Sequence, residues 1–269
     1  MIENNQLQEA YNTLNDALIK FPLSTGILLR MKSVSEKMEN KDLIDRCKTK
    51  IEASFYASNL LYSSLANFFI SDKKYDSAIA MLDILLGGFS GPTSAYYLRS
   101  VCYFNIDKYE EAYQDSQKAV ENKPENIEFN FILAKCQFKI DKYEDSIQTY
   151  KKIIDVDKNI VDAYVEMAQV LEKLKQTDEA VKILNEVLII NPLLDSAYYR
   201  LASILIDNER YLEAGQILVK ATLLRPSNPS FYQLLSRLYR KQGMEQLGDK
   251  YLDMGADNFL ENFLLGLLH

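Results

Sequence analysis

Apolar residues recur along most of this chain three or four positions apart, the spacing of one face of a helix, and short polar stretches interrupt them at regular intervals. Residues 195–228 show the pattern clearly. Tyr198, Leu201, Ala202 and Leu205 form one stripe, the polar break DNERY follows, and Ala214, Ile217, Leu218 and Ala221 form the next. Two amphipathic helices joined by so short a break must lie antiparallel as neighbours. No stretch alternates apolar and polar residues for long enough to predict a strand, so an all-α fold is expected.

The helix pairs repeat. The word DKYE begins at residue 107 and again at 141, 34 residues later. Steps of 34 from Tyr109 reach Tyr143, Thr177 and Tyr211 forward and Tyr75 backward. A second column is small throughout: Ala78, Ala112, Ser146, Ala180 and Ala214. A third, earlier in each unit, is aromatic except at Asn130, and runs from Tyr62 to Tyr232. Proline cannot continue a helix, and all six prolines fall at junctions in this register. Six uninterrupted 34-residue units therefore occupy 59–262. Residues 25–58 keep the length but place Lys32, Lys41 and Lys48 in small or apolar columns, so this unit is degenerate, and 1–24 holds the second half of a truncated repeat. One continuous domain is expected, with 257–269 as an amphipathic C-terminal capping helix.

These columns resemble the tetratricopeptide repeat family, a 34-residue helix-turn-helix with an aromatic, a Leu, a small residue, a Tyr, then Ala, Phe and Pro at fixed spacing. Tyr198, Leu201, Ala202, Leu205, Ala214, Leu218 and Pro226 occupy those places, with Leu for the second and third aromatics. Arg99 stands where Leu is usual, Asn130 where an aromatic is, and Lys158 where Pro is. The resemblance implies a right-handed superhelical solenoid of antiparallel helix pairs whose first helices line a concave groove that grips a peptide or helix of another protein. On that register the groove residues are Tyr97, Val101, Phe104, Phe131, Lys135, Phe138, Val165, Gln169, Lys173, Tyr199 and Ile206, ending on Gln233, Arg237, Arg240 and Lys241. The surface would be apolar in the middle and basic at its C-terminal end, suited to an amphipathic helix or extended apolar peptide carrying a negative group. The competing reading makes Phe104, Phe131 and Phe138 ordinary packing between repeats. The Lys and Asn clamp used by chaperone-binding repeats for a C-terminal carboxylate is not present in these columns.

Composition narrows the function. A formal charge of −7 argues against nucleic acid or an anionic membrane as partner, and no run of about 18 apolar residues suggests a span. Three cysteines form no CxxC pair and the one histidine is the last residue, so neither metal nor cofactor is expected. Sparse, odd-numbered thiols and the lack of a basic and apolar leader fit the cytoplasm. With no poised acid, base or nucleophile, catalysis is not expected. The leading expectation is an interaction scaffold within a multiprotein assembly. The alternative is a secretion or assembly chaperone that shields an apolar client.

In DNFLENFLLGLLH, Phe259, Phe263, Leu264 and Leu267 fall on one helical face. Two readings stay open: a cap over the last repeat's core, as solenoid ends require, or a contact with another chain, giving a homodimer.

Overall fold

A computed structural model describes residues 2–21, 24–87 and 91–266, with side chains at 5–21, 24, 26–87 and 91–256. Among these residues all regular structure is helical. In chain order the helices are α1 (Ile2–Lys20), α2 (Thr25–Lys37), α3 (Lys41–Ser71), α4 (Tyr75–Leu86), α5 (Thr93–Asn105), α6 (Tyr109–Asn122), α7 (Ile127–Lys139), α8 (Tyr143–Val156), α9 (Val161–Lys173), α10 (Thr177–Ile190), α11 (Asp195–Asp207), α12 (Tyr211–Leu224), α13 (Pro229–Lys241) and α14 (Glu245–Gly266). The chain forms two compact units, Met1–Ala119 and Val120–His269. Each is a stack of helices packed on their sequence neighbours, so the fold is an all-α repeat array.

The period is written into the backbone. Helices α5, α7, α9, α11 and α13 start 34 residues apart, and so do α4, α6, α8, α10 and α12. Between the two helices of each pair one residue turns left-handed: Glu39, Lys73, Asp107, Asp141, Lys175, Glu209 and Gly243, with φ from 53° to 75°. This residue closes a Schellman motif, in which the following N–H reaches back to the carbonyl three residues before the helix end. Lys142 N donates to Gln137 O at 2.8 Å, Gln176 N to Leu171 O at 2.9 Å and Arg210 N to Leu205 O at 2.8 Å. The motif satisfies the carbonyls of the first helix and starts the second within a few residues. Only the last turn uses glycine; the others hold side chains in a conformation they disfavour by about 1–2 kcal/mol.

A minority of the helix starts are capped by short polar side chains. Asn40, Asn126 and Asn228 accept from the N–H groups of Leu43, Phe129 and Ser230 at 2.9–3.1 Å, and Pro229 takes the first helical position of α13.

Small residues mark where paired helices cross. In the second unit Ala134, Ala168 and Ala202 face Ser146, Ala180 and Ala214, all fully buried, and Ser146 Oγ donates to Ala134 O at 2.8 Å. Tyr164, Tyr198 and Tyr232 fill the hollows beside them. Asn130, in the aromatic column, is buried too. Its amide donates to the carbonyls of Pro124 and Asn126 at 2.7 and 2.8 Å, so the group is satisfied without a ring.

Two regions depart from simple helix pairs. The register places a seam between residues 58 and 59, yet α3 runs through it for 31 residues. The local sequence FYAS holds no proline, glycine or asparagine to stop a helix, whereas later seams carry Pro124, Pro192 and Pro226. At the C-terminus, 257–266 continues α14 without a break. The side chains of Phe259, Phe263 and Leu264, and all of Leu267, lie outside the described residues.

Candidate partner-binding surface

In the first unit the candidate side chains Tyr97, Val101 and Phe104 are half-buried on α5. Phe104 packs edge-on against Tyr109 of α6, with ring centroids 5.4 Å apart, and the Tyr109 hydroxyl donates to Asp107. Phe104 thus closes its own helix-pair turn as well as facing outward. The neighbouring Arg99 organises this face. Its Nε and Nη2 donate to Asp115 at 2.6 and 2.9 Å, and its Nη1 to Asp83 at 2.5 Å, tying α4, α5 and α6 together. The Asp115 and Asp83 hydrogen bonds raise the guanidinium pKa above its ordinary value against the opposing effect of burial.

In the second unit Phe131, Lys135 and Phe138 line α7, with Val165 and Gln169 on α9 and Tyr199 on α11. Phe131 is half-buried and meets Tyr150 edge-on at 5.7 Å. Phe138 leans on Tyr143 at 5.8 Å, repeating the Phe104 and Tyr109 arrangement one period later. Val165 is half-buried. Tyr199 is 46% exposed, the most open of these apolar groups. Ile206, read from the sequence as a groove residue, is instead buried in the core. It stands in the same 34-residue column as half-buried Phe104 and Phe138, so the repeat register alone does not keep this position open.

Charged side chains rung this face together. Lys135 Nζ sits 5.8 Å above the Phe131 ring and 4.0 Å from Glu166 of α9. Arg200 of α11 reaches back to Gln169 at 3.4 Å and Glu172 at 3.5 Å, both on α9. Arg237 of α13 donates to Ser203 Oγ at 3.1 Å and to Asp207, both on α11. Arg200 Nε is enclosed and has no acceptor. Of the basic end expected from Arg237, Arg240 and Lys241, the two arginines are therefore engaged within the chain, while Lys241 is exposed. Arg237 pairs with Asp207, and Arg240 pairs with Asp249 at 2.5 Å and Glu245 at 3.7 Å. A partner's carboxylate would have to compete with these residues.

Sequence reasoning missed Arg200, Glu172 and Asp207. Their signal was spacing: Arg200 and Gln169 are 31 residues apart and Arg237 and Asp207 are 30, nearly one repeat. Among the described residues no cluster of three or more metal-ligating side chains occurs, and no helix is long and apolar enough to cross a membrane.

Residues 71–153 match the family model for subunit 3 of the anaphase-promoting complex, or cyclosome, and 142–205 and 195–228 match two tetratricopeptide repeat models. No curated protein sequence matches the chain significantly. Among solved structures, the C-terminal part of a TPR repeat-containing protein from Cytophaga hutchinsonii aligns at TM-score 0.62 and 19% identity, covering 73% of this chain and 79% of that one. YrrB, a TPR protein with an unusual peptide-binding site, aligns at 0.54 and 22%, covering 63% and 88%. MamA from Desulfovibrio magneticus RS-1 aligns at 0.53 and 18%, covering 64% and 97%. At such identities the likeness is one of fold.

Proposed function

Since this chain is a tetratricopeptide repeat protein, we propose that it is an interaction scaffold, binding rather than catalytic, whose first-helix face in the second unit holds a peptide or helical segment of a partner protein within a larger assembly. The observation that carries this reading is Tyr199, 46% exposed beside half-buried Phe131, Phe138 and Val165 on neighbouring first helices. A half-open aromatic stripe bordered by polar groups can bury apolar anchors of a partner while its rim fixes register. The rim residues Lys135, Arg200 and Arg237 already bind carboxylates or amides of this chain. They would exchange these for a partner's carbonyls or carboxylates. The peptide-binding site of YrrB, and the fact that one matching family model describes a subunit of a multiprotein complex, support the class of function. The proposed compartment is the cytoplasm, in keeping with three buried free cysteines.

The test is recovery of partner proteins with the intact chain and with two variants. Phe131→Asp with Phe138→Asp removes two anchors. Tyr199→Asp touches a more open position and preserves folding. Loss of the same partner with both, at unchanged helical circular dichroism, supports the surface. Undiminished recovery with both folded variants rejects it.

A further inference from the structure

The long helix α3 leaves uncovered a surface that the rest of the array buries. Its second half, 59–71, is equivalent by the 34-residue register to α5, α7, α9, α11 and α13. The counterparts of Leu61 are Ala95, Phe129, Ala163, Ala197 and Phe231, and those of Phe68 are Cys102, Cys136, Val170, Ile204 and Leu238. All ten are at most 6% exposed, whereas Leu61 is 50% and Phe68 61% exposed. In the other units this column packs toward the preceding repeat. An uninterrupted α3 cannot fold back to supply that cover.

The same face continues toward the start of α3 with a different character. Ala53, Ala57, the adjacent pair Leu60 and Leu61, Ser64 and Phe68 follow at three- and four-residue steps on either side of that pair, with exposed Tyr56 beside them. The N-terminal end is hollow. Ala53, Ser54 and Ala57 form, with Leu18 and Ile19 of α1, an open groove of about 530 Å³. The stripe is therefore small at one end, bulky at the other and aliphatic at its midpoint.

We propose that this face binds a second copy of the chain, with the two α3 helices antiparallel about a two-fold axis near Leu60 and Leu61. That arrangement sets Phe68 of each copy into the hollow at Ala53 and Ala57 of the other. It also places Ser64 opposite Ala57 and meets Leu60 and Leu61 with their own counterparts. A two-fold interface requires this self-complementarity, each surface being its own partner. At the far end Lys50 comes within one position of Asp72, which already pairs with Lys74 at 2.6 Å. Small residues permit helix axes about 8–10 Å apart. The size is also sufficient. Ile19, Tyr56, Leu60, Leu61 and Phe68 expose roughly 600 Å² per copy, and the smaller side chains between them bring the patch toward the ~800 Å² per partner of a stable interface.

The proposal does not depend on the peptide-binding surface of the second unit. Sedimentation equilibrium of the full chain over a range of concentrations should give a mass near twice 31.0 kDa. Leu61→Asp with Phe68→Asp changes two exposed positions and should return the mass to the monomer with helicity intact. A deletion of residues 258–269 should remain dimeric. All three native cysteines are buried, so Leu60→Cys should cross-link between copies on mild oxidation, whereas Ile84→Cys, exposed on α4, should not. A monomeric wild type overturns the proposal. So does a dimer that survives the double aspartate variant, or one lost on deleting the C-terminus. Equal cross-linking at 60 and 84 overturns the two-fold pairing even if the aspartate variant unfolds.

Discussion

Replacing Asp115 by alanine tests how the first unit tolerates charge in its interior. The Asp115 side chain is 4% exposed and Arg99 18%, joined by two hydrogen bonds of 2.6 and 2.9 Å. In the 34-residue register Arg99 occupies the column of Leu65, Leu133, Met167, Leu201 and Leu235, and Asp115 that of Met81, Thr149, Ile183 and Ile217. A charge pair therefore replaces an apolar contact. Removing Asp115 alone leaves Nε and Nη2 of a largely buried guanidinium without acceptors, a loss of about 3–5 kcal/mol. Asp83 cannot compensate, because it bonds a different nitrogen and is 52% exposed. Its own removal should change stability by about 0–1 kcal/mol. The matched pair Arg99→Leu with Asp115→Ile restores what later repeats hold, and should be neutral or more stable than wild type. At about 2–4 °C per kcal/mol for a domain of this size, thermal unfolding followed at the helical circular dichroism band should place Asp115→Ala roughly 6–20 °C low. An Asp115→Ala shift no larger than that of Asp83→Ala would refute the reasoning. So would a double variant as unstable as the single one.

Other expectations follow from turns, crossings and thiols. Lys175→Gly should raise the unfolding free energy by about 0.5–1 kcal/mol, read as a higher denaturation midpoint, because φ is 59° there and the side chain is exposed; a lower midpoint would show that the turn carries no strain. Ala202→Leu, at a fully buried crossing, should lose about 1–3 kcal/mol, checked by urea unfolding against an unchanged melting curve. All three cysteines are enclosed, and burial pushes the Cys102 thiol up to about 11. At pH 8 a water-soluble thiol reagent should therefore label none in the folded chain and all three after unfolding.

The repeat was legible because its strongest signals are local. Tyrosine, alanine and proline recur at one spacing, and each has a physical reason to be where it is. The left-handed residue of each turn was not, since Asp, Glu and Lys do not advertise a positive φ as glycine does. Arg99 stood out as a charge in a leucine column. Its partner Asp115 could have been found the same way, because it too interrupts an apolar column. The continuity of α3 was foreshadowed by what residues 55–58 lack. The candidate surface was legible as a set of residues but not as an electrostatic surface. Arg237 and Arg240 looked free because Asp207 lies a repeat away and Asp249 on the following helix, and only packing brings them together.

The proposed binding surface is the first-helix face of the second unit. The most direct measurement places a photo-reactive phenylalanine analogue at position 199, and in a parallel sample at Leu223, which is 77% exposed on the second helix α12 and so more accessible than Tyr199. After irradiation with the partner mixture and mass spectrometry, a defined protein adduct is expected at 199 that disappears with Phe138→Asp, and none at 223. Adducts of equal yield at both positions, or none at 199 while the partner still binds, would contradict it.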